Sequence, residues 1–320
     1  MITDLLRRVP LAQLPTPVAP LTRLASAMGG FDLWIKRDDQ TGLAFGGNKT
    51  RKLEYLVADA EARGARTLVT RGAVQSNHCR QTAAAAAARG LQSILVLRGD
   101  PPDSCNGNLL LDQLLGAQIV WTRGRDPEAM LQETFQQAEA DSRSPYLVPY
   151  GGSNPLGASA YAAALEEALG QVPSPDWMVF ASSSGGTQAG LVAGARLLGY
   201  TGKILGISVD LPAGELQEKV AALASEVCAL LGRPVTIRAN EILVEDRFAA
   251  PGYATVTDLE RDAISAFAGQ EGILLDPVYT GRAAGGMLTL AREGRFQPGE
   301  KVLLWHTGGT PALFAFSLTV

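Results

Sequence analysis

The chain has 320 residues, 46% of them hydrophobic, with a formal net charge of −4 and a sequence pI near 5.4. It is long enough for one large or two medium domains with their own cores, and its acidic balance excludes a global basic field for nucleic acid or an anionic membrane surface. Three widely spaced cysteines, Cys79, Cys105 and Cys228, form no C-x-x-C pair and have no nearby histidine ligands, so no structural metal and a reducing compartment are expected. The opening ten residues carry no apolar signal core and no run reaches 18 apolar residues, which predicts a soluble, cytoplasmic protein without a membrane segment.

Short β-branched runs alternate with longer helical patterns along the chain. A strand at 33–36 precedes a helix at 51–63, strands at 67–70 and 93–97 bracket a helix at 77–89, and helices at 106–115 and 127–140 flank a strand at 118–121. Strands at 177–180, 203–208 and 301–305 follow, with helices at 187–198, 214–231, 256–270 and 280–292. Brief apolar strands separated by helices predict an α/β fold with buried parallel sheets. No Pro/Ser linker splits the sequence, so a second domain is expected as an insertion.

The most informative stretch is Gly46-Gly47-Asn48-Lys49-Thr50-Arg51-Lys52-Leu53-Glu54-Tyr55, which puts three bases at a helix start. Cations are disfavoured there by a few tenths to about 1 kcal/mol each, because the first turn exposes unpaired N–H groups and the positive end of the dipole. An anion held at the terminus, or a lysine bonded to a cofactor, would compensate. The alternative is a helix whose bases reach Asp38, Asp39 or Glu54.

In parallel α/β sheets ligands gather where strands end and loops enter helices. Four such loops are unusual: 71–78, 182–190, 276–281 and 306–310. Ser182-Ser183-Ser184-Gly185-Gly186-Thr187 suits a phosphate, since glycines let backbone amides converge while hydroxyls add donors. Other chemistries lack parts. There is no G-x-G-x-x-G, and the P-loop-like run 42–50 has Asn48 inserted before Lys49, which turns the lysine by about 100° on a helix. His78 and His306, the two histidines, have no metal spacing and no nucleophile setting. A lysine, a small phosphate site, a tyrosine and polar loops suit pyridoxal phosphate.

The motifs GGNKTRKLEY, QSNHCRQTAA, SSGGTQAG, DPVYTGRAAGG and HTGGTPALF occur in this order over nearly the whole chain. In these the chain resembles the fold-type II pyridoxal phosphate enzymes of the D-cysteine desulfhydrase and 1-aminocyclopropane-1-carboxylate (ACC) deaminase family. The resemblance implies two parallel-sheet three-layer domains, the larger at 1–51 and 159–320 and the smaller at 52–158, in a homodimer acting on a small amino acid. It implies that Lys49 carries the cofactor as an imine, that Ser184, Gly185, Gly186 and Thr187 hold its phosphate with Lys52 as a further partner, and that Asn77 contacts its phenolic oxygen. Ser76, Asn77 and His78 would surround the substrate carboxylate. Tyr279 would lie over the reacting carbons, near Tyr253 of Pro251-Gly252-Tyr253, so that Lys49, Tyr279 and Ser76 form the catalytic group.

Thr280 and Thr307 separate the branches: the deaminases resemble Y-E-G and H-L-G-G where this chain has Tyr279-Thr280-Gly281 and His306-Thr307-Gly308-Gly309. Thr307 is the candidate partner of the ring nitrogen, with Thr280 lining the adjoining substrate wall. The resemblance is therefore closest to the desulfhydrase branch, implying a lyase that converts D-cysteine to pyruvate, hydrogen sulfide and ammonia. L-Cysteate sulfo-lyase and ACC deaminase are the alternatives on the same scaffold, and a non-catalytic amino-acid-binding protein is the alternative of another class. Arg282, Ala284 and Gln188 depart from the desulfhydrase pattern and leave the leaving group open.

Overall fold

The computed structural model describes residues 1–28, 30–250 and 252–318, so Pro251 lies outside the described residues. The first half runs β1 (Val18–Pro20), α1 (Thr22–Ala27), β2 (Asp32–Arg37), α2 (Asn48–Ala62), β3 (Thr67–Gly72), α3 (Asn77–Ala88), β4 (Gln92–Leu97), α4 (Gly107–Leu114), β5 (Gln118–Trp121) and α5 (Pro127–Ala140). The second runs β6 (Pro145–Leu147), α6 (Pro155–Leu169), β7 (Trp177–Ser182), α7 (Gly186–Leu198), β8 (Lys203–Ser208), α8 (Ala213–Leu230), β9 (Leu243–Glu245), α9 (Asp258–Glu271), α10 (Thr280–Arg292) and β10 (Lys301–His306).

Two sheets result, one of six strands in the order β1-β2-β10-β7-β8-β9 and one of four in the order β5-β4-β3-β6. Among the described residues all pairings are parallel except β1 with β2, so the expected α/β fold with parallel sheets forms. The exception is an edge strand, flanked by Pro17 and ended by Pro20, a placement that suits a residue unable to donate to a ladder. The chain crosses from one sheet to the other through α2 and returns through α6.

Helix α6 escapes a periodicity reading because ten of its fifteen residues are buried, leaving little contrast between its faces. It packs on α7 through glycine: a Cβ on Gly190 would stand 2.0 Å from the Ala158 carbonyl oxygen, and one on Gly194 would stand 2.9 Å from Ala162 Cα. Strands β6 and β9 have three residues each, too few to show a pattern.

The start of α2 sits over a buried charge cluster. Arg51 donates from Nε and Nη2 to Asp38 at 3.0 and 2.9 Å and from Nη1 and Nη2 to Glu167 at 3.0 and 2.8 Å. Asp38 also accepts from Thr16 Oγ1 at 2.9 Å, Tyr161 at 2.5 Å and Trp305 Nε1 at 2.8 Å, which ties α2, α6 and β10 together. Burial alone would raise the Asp38 pKa, yet the Arg51 guanidinium holds it below the usual carboxylate range. Removing Arg51 leaves the buried Asp38 with neutral donors alone, while Glu167 keeps its pair with Lys36 at 2.5 Å. Arg51→Met should therefore cost about 3 kcal/mol of stability, measured by urea unfolding, and a loss below about 1 kcal/mol would show that the cluster relaxes without its cation.

Candidate active site

The loops that leave the two sheets converge on one cavity. Three helix starts contribute to it: Asn48 and Lys49 from α2, Asn77 and His78 with the cap Ser76 from α3, and Thr187 with Ser184 and Gly185 from α7. Tyr150, Tyr253, Tyr279, Thr307 and Gly308 add to the lining. The segments are bonded to one another: Asn48 N donates to the Thr307 carbonyl at 2.9 Å and Asn48 Nδ2 to Thr187 Oγ1 at 3.1 Å.

Lys49 is the one lysine or arginine of the lining, and among the described residues its Nζ donates only to Asn48 Oδ1, at 3.2 Å. Burial lowers its pKa to about 8 against the opposing pull of Asp276. Lysine 52 does not line the cavity but lies buried behind it, with Nζ 3.1 Å from the Gly151 carbonyl and 3.4 Å from Ser153 Oγ. Burial, and then Lys49, hold it well below the ordinary lysine value, and it makes no carboxylate contact among the described residues.

A cup is built around that amine. Ser153 and Ser184 share a hydrogen bond at 2.8 Å, Ser182 is a buried hydroxyl without a partner, and the amides at the start of α7 are uncapped. Gly185 takes φ 81° there, and a Cβ on Gly186 would stand 2.4 Å from Ser153 Oγ and 2.8 Å from Lys52 Nζ. The buried Lys52 amine, the hydroxyls and the helix terminus make a donor set that fits a phosphate monoester, whose charge would favour the protonated amine.

On α3 the side chains sort into donors and acceptors. Ser76 Oγ accepts from Cys79 N at 3.1 Å, leaving its hydrogen to donate, and Asn77 Oδ1 accepts from Asn108 Nδ2 at 2.8 Å, leaving its own amide N–H groups. Thr70 Oγ1 donates to the Val148 carbonyl at 2.8 Å, so its 2.9 Å contact with His78 Nε2 requires that nitrogen to carry the proton. His78 Nδ1 is then a bare acceptor without a partner, and burial, with Lys49, Lys52 and Arg71, keeps the ring neutral. A bare acceptor does not suit a carboxylate, whereas Ser76 and Asn77 beside it keep donors free.

Tyr253 and Tyr279 pair through their hydroxyls at 2.8 Å, and burial raises the pKa of both, so both stay protonated at neutral pH. Thr280 needs correction. Its hydroxyl donates to Asp276 Oδ1 at 2.7 Å and accepts from Asp276 N at 2.7 Å, and it does not line the cavity. It serves instead with the buried Asp276, whose carboxylate accepts from Val278 N, Tyr279 N and Thr280 N and thereby fixes Tyr279.

Arg282, Ala284 and Gln188 are buried outside the lining. Arg282 pairs with Glu260 at 2.6 Å and donates to the carbonyls of Val209, Gly252 and Thr255, holding the loop that carries Tyr253; Ala284 is core; Gln188 donates to the Leu243 carbonyl. None of the three departures reaches the cavity lining. Tyr150 is the residue that sequence reading missed: it follows the three-residue β6, and Arg71 stacks 4.7 Å from its ring while pairing with Glu128.

A layered parallel α/β fold with a dry lysine beside a phosphate cup defines a cofactor enzyme of the pyridoxal phosphate type. The chain belongs to the pyridoxal-phosphate dependent enzyme family, which it matches over residues 9–308. It is 41% identical over 318 residues to a D-cysteine desulfhydrase of Salmonella typhi, covering 97% of this chain and 96% of that protein. A D-cysteine desulfhydrase of Salmonella newport is 42% identical at the same coverage. Among solved structures, an ACC deaminase homologue superposes with a TM-score of 0.91 at 38% identity, covering 98% of this chain and 95% of that one. Threonine deaminase isoform 2 of Solanum lycopersicum, at TM-score 0.66 and 14% identity over 93% and 80% of the two chains, shares the fold alone. The fold is that of the fold-type II enzymes.

Gly186→Val should raise the cofactor dissociation constant by about tenfold or more, read by equilibrium titration, because its Cβ enters the cup. Wild-type affinity in a folded variant would place the phosphate elsewhere. The lysine supplies a pH test on cofactor-free protein. A lysine whose folded pKa, about 8, lies below its unfolded value of 10.5 binds fewer protons when folded, so its penalty is full below pH 8 and fades as pH rises toward 10.5. Wild-type stability relative to Lys49→Ala should therefore increase between pH 8 and 10, and a flat difference in urea midpoints would contradict the depressed pKa.

Proposed function

We propose that this protein is a lyase that eliminates hydrogen sulfide from D-cysteine, leaving pyruvate and ammonia. The observation that carries the reading is the cavity itself: one lysine of weakened basicity in its lining, a phosphate cup closed from behind by Lys52, and two protonated tyrosines. The full-length likeness to two D-cysteine desulfhydrases supports it. Lys52, Ser184, Gly185, Gly186 and Thr187 would hold the cofactor phosphate, Asn77 its phenolic oxygen, Thr307 its ring nitrogen, and Lys49 Nζ its aldehyde carbon. Bound there, the cofactor draws electron density from the substrate Cα and makes its proton acidic.

The chain's own groups do the rest. Lys49 Nζ, as a free amine in a dry site, is the base for the Cα proton. Ser76 and Asn77 donate to the substrate carboxylate at the start of α3, where the dipole also favours an anion. The Tyr279 hydroxyl, backed by Tyr253, donates a proton to the departing sulfur. The two alternatives are disfavoured by the same cavity. A sulfonate would bring a second anion to a lining whose one base is Lys49, and Thr307 can give the ring nitrogen only a neutral hydrogen bond, which suits thiol elimination better than opening of a cyclopropane. A protein that only binds amino acids would not need the dry lysine. The reading includes a homodimer in the cytoplasm, with a larger domain at 1–51 and 159–320 and an inserted one at 52–158.

Borohydride trapping and peptide mapping should place the pyridoxyl adduct on Lys49, and Lys49→Ala should lower kcat by roughly 10²–10⁴-fold. Keto-acid formation from D-cysteine, L-cysteine, L-cysteate, D-serine and ACC decides the substrate. Faster turnover of ACC or L-cysteate than of D-cysteine would overturn the assignment.

A further inference from the structure

We propose that Arg80 is a positioning residue for the reaction, fixing the backbone of residues 44–47 and through it the point at which Lys49 enters the cavity. The loop has an unusual conformation: Ala44, Phe45, Gly46 and Gly47 take φ of 42°, 69°, 63° and 127° in succession. Glycine tolerates this region, but Ala44 and Phe45 are strained there and need external restraint. Phe45 cannot supply it by packing, since it is 63% exposed. The glycines are hemmed in, a Cβ on Gly46 falling 2.2 Å from the Asp39 carbonyl oxygen and one on Gly47 falling 2.6 Å from Gln81 Nε2.

Arg80 is fully buried on α3 and reaches this loop from across the sheet boundary. Its Nη1 donates to the Ala44 carbonyl, its Nη2 to the Gly46 carbonyl at 3.1 Å and its Nε to Asn108 Oδ1 at 2.7 Å. Asp112 is close enough to act on the guanidinium, yet neither of its carboxylate oxygens has a hydrogen-bond partner. Burial raises the Asp112 pKa to about 8, so that acid is not a ready ion-pair partner, and the guanidinium directs its donors to neutral oxygens, two of them in the strained loop. The neighbouring Gln81 completes the grip, its Oε1 accepting from Thr50 N at 2.7 Å and Thr50 Oγ1 at 2.9 Å. One helix thus presents Ser76, Asn77 and His78 to the cavity and, a turn later, holds the segment that carries Lys49. The substrate side and the amine side of the site share a single register.

The kinetic part of the test rests on Lys49 being the reactive amine, while the exchange part does not. In the holoenzyme, Arg80→Met should speed amide hydrogen exchange across 43–50 by about tenfold or more while the interior of α3 keeps its protection. It should lower kcat by about tenfold to 10²-fold with KM within about threefold, since misplacing a reacting group costs on that scale. Adding Ala44→Gly relieves the strain that Arg80 restrains, so the double variant should recover part of both losses. Arg80→Lys, whose single ammonium cannot span both carbonyls, should show the same changes at smaller size, and it carries the test if Arg80→Met does not fold. Wild-type exchange across 43–50 in a folded Arg80 variant overturns the proposal, as does a kinetic defect that Ala44→Gly leaves untouched. A pyridoxyl adduct on another lysine would instead overturn the reading of Lys49 and leave the exchange result standing.

Discussion

A helix start disfavours cations, and α2 buries or half-buries three of them in its opening turns. Each is accommodated in a different way, and the site follows from the differences. Arg51 turns away from the cavity to Asp38 and Glu167, which also anchors α2 to α6 and β10. Lys49 faces the cavity without a carboxylate bond, and the dry setting weakens its hold on a proton. Lys52 is left behind the cavity with neutral oxygens alone, so burial and Lys49 disfavour its charged form and an incoming anion would favour it.

That division gives the cavity its chemistry. Helices α2, α3 and α7 all start at its edge, so the field there is positive from backbone dipoles as well as from Lys49. The one carboxylate acting on Lys49, Asp276, is saturated by three backbone amides and the Thr280 hydroxyl. It can steady the amine without competing for it. A base that is weakly basic, desolvated and not locked into an ion pair is suited to gain and lose a carbon-bound proton near neutral pH.

The charge anomaly in α2 was legible in the sequence, and of the two explanations it allowed ion pairing is present in the fold for Arg51, while Lys49 and Lys52 meet only neutral oxygens among the described residues. The seven expected strands and eight expected helices all form, because buried parallel strands and amphipathic helices carry their pattern locally. What escaped has a physical reason in each case. Helix α6 has ten of its fifteen residues buried, so its faces contrast little, and β6 is too short to announce the turn that brings Tyr150 to the cavity. Thr280 read as a substrate contact because sequence gives neighbourhood and not direction; its hydroxyl points into the Asp276 turn. The tautomer of His78 depends on a threonine eight residues away and on a carbonyl from β6's exit, and Arg80 on a loop 34 residues earlier in the chain.

The same geometry bears on how enzymes of this fold diverge. The cup, the lysine and the α3 donors are bound into one another through Asn48, Thr187, Ser153 and Gln81, so a change in any of them disturbs the others. The lining that remains free to vary is small: the Tyr253–Tyr279 pair, Thr307, His78 Nδ1 and Tyr150. None of these carries a charge at neutral pH in this setting, so the space beyond the reacting carbon selects by proton donation and acceptance. A leaving group that departs as a weakly hydrated, easily protonated anion fits such a wall; one that arrives already charged must be stripped of water with no cation to receive it.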